Sequence, residues 1–163
     1  MDNRSHILTE VDVLFSQYGI KSITMDDIAK QLGMSKKTIY QHFKDKNELV
    51  LELMRTKIDA QIGIIQEGRD KASNAIHEMF LVMENMKAMT QTMNPNSMME
   101  LEKHFPTAFE IIKNHKDEFL FSLIKQNLMK GIKEGCYRAD LDIDIVSIFR
   151  LETVFIPFNL RLF

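Results

Sequence analysis

Between residues 30 and 46 the chain carries Lys30, Lys36, Lys37, Lys44 and Lys46 against the single acid Asp45. Lys36 and Lys37 directly follow Ser35, a residue type that caps helix N-termini. Lysines in a first turn face the positive end of the helix dipole, at a cost of about 0.3–1 kcal/mol each. An external anion would offset that cost. Four positions on, Gln41 has the paired donor and acceptor that match adenine, and lysine can donate to the two acceptors of guanine. Thr38 and Tyr40 suit phosphate oxygens or a thymine methyl. The chemistry on offer is the reading of a duplex, although a solvated lysine face on a plain helical hairpin would carry the same charges.

Helices must position these groups. Ile7, Leu8, Val11, Leu14, Phe15 and Tyr18 recur at helical spacing and Gly19 follows them, which predicts a helix over about 5–18. Thr24 with Asp27 three residues on is a capping-box variant, opening a second helix whose inward face is Ile28, Ala29 and Leu32 and which stops at Gly33. Ser35 caps a third, short helix. Ile39 and Phe43 face inward there, leaving Lys36, Lys37, Thr38, Gln41 and His42 outside with Tyr40 at the border. Asp45 caps a fourth helix that buries Leu49, Val50, Leu53, Ile58, Ile62 and Ile65. Two short helices joined by a tight glycine turn, the second bearing a cationic, amide-rich face, make a helix-turn-helix suited to the major groove.

Beyond the break "EGRDKASN" the spacing predicts helices over about 72–92, 97–104, 106–134 and 142–163, punctuated by Pro95, Pro106, Gly131 and Gly135. No period-two run is long enough for a sheet, so the fold is read as all-α.

The stretch "TMDDIAKQLGMSKKTIYQHFKDKNEL" resembles the DNA-binding signature of TetR-type transcriptional regulators. The matching residues are Thr24, Asp27-Ile28-Ala29, Leu32-Gly33, Ser35, Thr38-Ile39-Tyr40, His42-Phe43, Lys46, Glu48 and Leu49. The resemblance covers about residues 5–55. It implies an N-terminal three-helix DNA-binding domain over 1–47 and a helical effector-binding and dimerisation domain over 48–163. By similarity, Thr24 and Tyr40 contact phosphate, Lys46 presents its charge at the start of the fourth helix, and Lys36, Lys37, Gln41 and His42 face bases or backbone. "LMKGIKEGCYRADLDIDIV", 128–146, is similar to the point where a long helix ends before the first dimerisation helix. Members usually continue with a further helix, so the stop at Phe163 implies an incomplete chain or a reduced dimer interface. The resemblance also implies an effector held among the C-terminal helices, apolar or amphipathic in character. Met79, Phe80, Met83, Phe105, Phe109 and Tyr137 are its candidate pocket residues.

Other features are read more plainly. Seven of the twelve methionines fall between 79 and 99, with Met79, Met83, Met86 and Met93 along one stripe, which packs a core or lines an adaptable pocket. "DLDID" has the acid spacing of a calcium loop, but Ile145 and Leu151 stand where glycine and a bidentate glutamate are needed, so the acids suit a helix start instead. His104 and His115 share a face without a converging ligand set, and no metal or cofactor is expected. Cys136 is the only cysteine and is read as a packing residue. No secretory segment is read near Met1, and charged residues break the apolar run 145–163 below membrane-spanning length, which favours a cytoplasmic protein without a membrane partner. A net charge of −2 over 163 residues excludes a general nucleic-acid coat, while the lysine patch keeps local binding open. The reading is a sequence-specific regulator, a repressor binding operator DNA as a homodimer and released by a small molecule. The alternatives are a helical protein-interaction module without DNA binding and, third, a helical enzyme, for which no nucleophile elbow, zinc helix or phosphate loop is present.

Overall fold

Oxygen-bearing side chains start the N-terminal helices. Thr24 is extended (φ −94°, ψ 166°); its hydroxyl accepts from the Asp27 N–H at 3.1 Å, and the Asp27 carboxylate accepts from the Thr24 N–H at 2.9 Å. This reciprocal capping box starts α2 (Met25–Gln31). Ser35 caps α3 (Lys36–His42) by accepting from the Thr38 N–H at 3.1 Å. Asp45 accepts from the Glu48 N–H at 2.9 Å, and Glu48 accepts from the Lys44 N–H at 2.6 Å, which together open α4 (Lys46–Lys71). Ahead of these lies α1 (Asn3–Tyr18). The turns that follow α1 and α2 use Gly19 (φ 83°) and Gly33 (φ 63°), left-handed conformations that other residues enter only with strain.

The computed structural model describes residues 3–92, 94 and 96–156. After α4 come α5 (Ala75–Thr92), α6 (Ser97–His104), α7 (Pro106–Asn114), a π-helical turn (His115–Leu120), α8 (Phe121–Lys133) and α9 (Ile143–Phe155). The described residues contain no strand, and the fold is all-α. The single helix expected over 106–134 is interrupted by the π turn. Met93, Pro95 and the last part of the helix expected over 142–163 lie outside the described residues. Asp142 caps α9 by accepting from the Ile145 N–H at 3.0 Å, as the acids of "DLDID" predict.

The chain packs as two compact units, one of residues 1–57 with 92–111 and the other of residues 58–91 with 112–163. In the first, Ile7, Val11, Ile28, Ile39, Phe43, Leu49 and Val50 are fully shielded from solvent, joined by Leu101 and Phe105 from the later segment. Each large side chain so buried contributes about 1.5–3 kcal/mol. Tyr18, predicted on the buried face of α1, is 57% exposed. The chain leaves the helix at Gly19 and folds Ile20 into the core in its place. In the second unit Ile65, Ala75, Leu128 and Leu151 are buried, and α8 packs along α9. No helix among the described residues is long and apolar enough to cross a membrane.

Candidate nucleic-acid interface and effector cavity

The roll of α3 is set by Ile39 and Phe43, both at 0% exposure and four residues apart. With that face inward, Lys36, Lys37 and Gln41 are exposed, Tyr40 is 48% exposed, and Thr38 and His42 are half-buried. The Thr38 hydroxyl shares a hydrogen bond with the Ser35 hydroxyl at 2.8 Å. Lys36 Nζ lies 2.5 Å from Asp26 Oδ2 on α2. Both partners are largely in water, where such a pair contributes about 0–1 kcal/mol, so a phosphate can displace the carboxylate. Lys37 makes no ion pair among the described residues.

Thr24 and Lys46 are engaged within the first unit. The Thr24 hydroxyl also donates to Asp27 Oδ2 at 2.6 Å, and the two Thr24 hydrogen bonds, side chain and then backbone, hold the Asp27 carboxyl below its usual range. Lys46 Nζ donates to the Lys21 carbonyl at 3.2 Å and lies over the rings of Phe15 (5.8 Å) and Phe105 (5.6 Å). Burial pushes its pKa down, opposed by the carboxylates of Glu100 and Asp27. Its charge is therefore directed into the unit and pins the α1–α2 turn.

Glu100 on α6 completes that pin. One carboxylate oxygen accepts from the Ile20 N–H at 2.6 Å and the Lys21 N–H at 3.0 Å. A methyl group on Gly19 would come within 3.1 Å of the other oxygen, so the turn needs glycine for space as well as for conformation. Glu100 escapes sequence reasoning because its partners lie 79 and 80 residues away, with no spacing to mark the pair.

The second unit encloses a cavity of about 290 Å³ among α4, α5, the π turn, α8 and α9. Its wall is mainly hydrocarbon and thioether, including Ile65, Met79, Val82, Met83, Leu123 and Ile124. Arg69, Glu78, Asn127 and Arg150 form a polar end. Of the residues proposed from sequence, Met79 and Met83 line this cavity. Phe80, one residue round the helix from Met79, is 61% exposed. Phe105 and Phe109 belong to the other unit, where Phe105 is buried beneath Lys46. Tyr137 stands behind the wall, its hydroxyl donating to Asn127 Oδ1 at 3.1 Å. Arg150 was legible as an isolated cation inside an apolar run; Glu78 and Asn127 carried no comparable signal.

His115 begins the π turn, stacked on Phe119 with ring centroids 5.0 Å apart and hydrogen-bonded to Gln61 at 2.9 Å. Burial lowers its pKa.

Residues 7–53 match the family model of bacterial regulatory proteins, tetR family. The HTH-type transcriptional repressor KstR2 of Mycolicibacterium smegmatis is 26% identical over 158 residues, an alignment spanning 94% of this chain and 76% of that protein. The solved ketosteroid transcriptional regulator KstR2 of Mycobacterium tuberculosis superposes with a TM-score of 0.71 at 24% identity, covering 98% of this chain and 83% of that one. FadR of Bacillus subtilis, solved in complex with stearoyl-CoA, superposes with a TM-score of 0.70 at 21% identity, covering 91% and 81%. The two superpositions show a shared fold.

Proposed function

We infer, from the membership of this chain's N-terminal helices in the TetR family of bacterial regulatory proteins, that the protein is a sequence-specific DNA-binding regulator of transcription. It reads operator DNA as a homodimer and acts as a repressor that a small molecule releases. The observation that carries this reading is the outward face of α3, where Lys36, Lys37 and Gln41 are held in water by the burial of Ile39 and Phe43. On a duplex, Gln41 and the two lysines face base edges or backbone beside His42, while Tyr40 and Thr24 meet phosphates. Lys46 contributes through the turn it pins.

One seven-residue helix makes few base contacts, so a palindrome needs two copies with half-sites about 34–36 Å apart. The surface suited to the second copy is on α9, where Ile145, Ile148 and Phe149 are 65%, 55% and 69% exposed on one face, with Met129 of α8 57% exposed. The cavity of the second unit is the effector site. FadR's complex with stearoyl-CoA supports an amphipathic effector for a protein of this fold. Release follows only if the effector binds more tightly to the form with lower DNA affinity, since equal affinity for both forms shifts no equilibrium.

The test is selection of bound sequences from a random duplex pool by the full chain at physiological salt. Recovery of a palindrome, with affinity falling steeply as salt rises, is the expected result. A folded protein that enriches no sequence, with and without candidate amphiphiles, would refute it and favour a protein-contact role for the same helices.

A further inference from the structure

The cavity of the second unit is chemically lopsided. Glu78, 4% exposed, is held by Lys130 at 2.8 Å and Arg69 at 3.4 Å, and its hydrogen bond raises the Lys130 pKa. Glu134, also near Lys130, accepts from the Ala75 N–H at 2.7 Å. Two cations are thus answered by two acids. Arg150 is a third cation, and no carboxylate among the described residues pairs with it. The acids nearest on its own helix are taken, Glu152 by Lys116 at 2.8 Å and Asp144 by Lys125 at 2.5 Å. Arg150 Nη1 reaches only Asn127 Oδ1 at 3.4 Å and Met79 Sδ at 3.5 Å, while its guanidinium lies over the Tyr137 ring at 5.2 Å. The oxygen contact is at the long limit for a hydrogen bond. A guanidinium on an apolar wall with so little bonding matches a planar two-oxygen anion.

Resting on the effector reading above, we propose that this cavity binds an aliphatic carboxylate, its head on Arg150 and its chain between the methionines of α5 and Leu123 and Ile124 of α8. A volume of about 290 Å³, set against about 30 Å³ for each water in the liquid, holds on the order of ten water-sized groups, which suits a chain of roughly eight to ten carbons. Thioether walls adapt to chain shape, so selectivity resides at the head.

Calorimetric titration of the full chain without DNA, using decanoate, decanol, decylamine and decanoyl-coenzyme A, tests this. Decanoate is expected to bind, with decanol at least about tenfold weaker and decylamine weaker still. Arg150→Gln should weaken decanoate by roughly tenfold to a hundredfold and leave decanol unchanged. Arg150→Lys keeps the charge but loses the fork, so partial affinity is expected, and it serves if the glutamine variant fails to fold. Decanol binding as tightly as decanoate, full decanoate affinity in either variant, or a thioester preferred over the acid and indifferent to Arg150 would overturn the proposal. Failure of all four probes would also overturn it, while leaving DNA recognition to be judged separately by the duplex selection.

Discussion

Replacing Glu100 by alanine removes the acceptor for two backbone N–H groups of the α1–α2 turn. The Ile20 bond, at 2.6 Å and part-buried, involves a charged acceptor and contributes about 1.5–3 kcal/mol. The Lys21 bond, at 3.0 Å, is exposed, so water replaces it at a loss of about 0.5 kcal/mol or less. The variant is therefore expected to lose about 2–3 kcal/mol. At about 2–4 °C per kcal/mol for a chain of this size, its melting temperature should fall by roughly 4–12 °C. Glu100→Gln keeps an oxygen acceptor and loses its charge, so about half that loss is expected. Urea titration measures both, with the midpoint falling at constant slope. Amide hydrogen exchange at Ile20 and Lys21 adds a local readout, which should accelerate in Glu100→Ala. A Glu100→Ala chain within about 0.5 kcal/mol of the parent, with both amides still protected, would refute the pin and leave Lys46 alone to hold the turn.

Gln41→Ala should relax preference at one base position by about 1–3 kcal/mol, whereas Lys37→Ala should weaken specific and random duplexes alike and lower the salt slope by about one. Equal losses for Gln41→Ala on both duplexes would remove it from base readout. Because burial holds His115 below its ordinary value of 6.5, its contribution to stability is complete above that pH and declines as pH falls toward the depressed value. Melting temperatures measured from about pH 7.5 to 5.5 should show less decline in His115→Gln than in the parent. Gly131→Ala places a methyl group inside the Tyr137 ring and should cost about 1–3 kcal/mol by thermal melting, unless the ring can turn away freely. Ile145→Asp with Ile148→Asp should shift the protein to monomer in sedimentation experiments; a persistent dimer would move the interface elsewhere.

The N-terminal helices were legible because their determinants are local. Thr24 with Asp27, Ser35 with Thr38, and Ile39 with Phe43 act over three or four residues, the reach of one helical turn. The same reach explains what was missed. Glu100 packs with the N-terminal turn across 80 residues, so α6 joins a unit that the order of the chain does not suggest. Lys46 matched an outward-facing motif, yet its ammonium is drawn inward by two aromatic faces and a carbonyl. The methionine stripe pointed to the cavity at Met79 and Met83, where helical spacing was enough. Phe105 and Phe109 were grouped with it by nearness in sequence, although the following helix packs them into the other unit.

The π turn at His115–Leu120 makes the faces of α8 depend on chain length at one place. A π turn closes its hydrogen bonds one residue further along than an α turn and so accommodates an additional residue. Losing one residue there would let ordinary α-helix run through, but every later side chain would swing by about 100° around the axis. Asn127, Leu128 and Gly131, which now face the interior, would rotate away together. A deletion in this stretch is thus a frameshift in space, sparing the reading frame and the helix while exchanging the buried stripe of α8 for another.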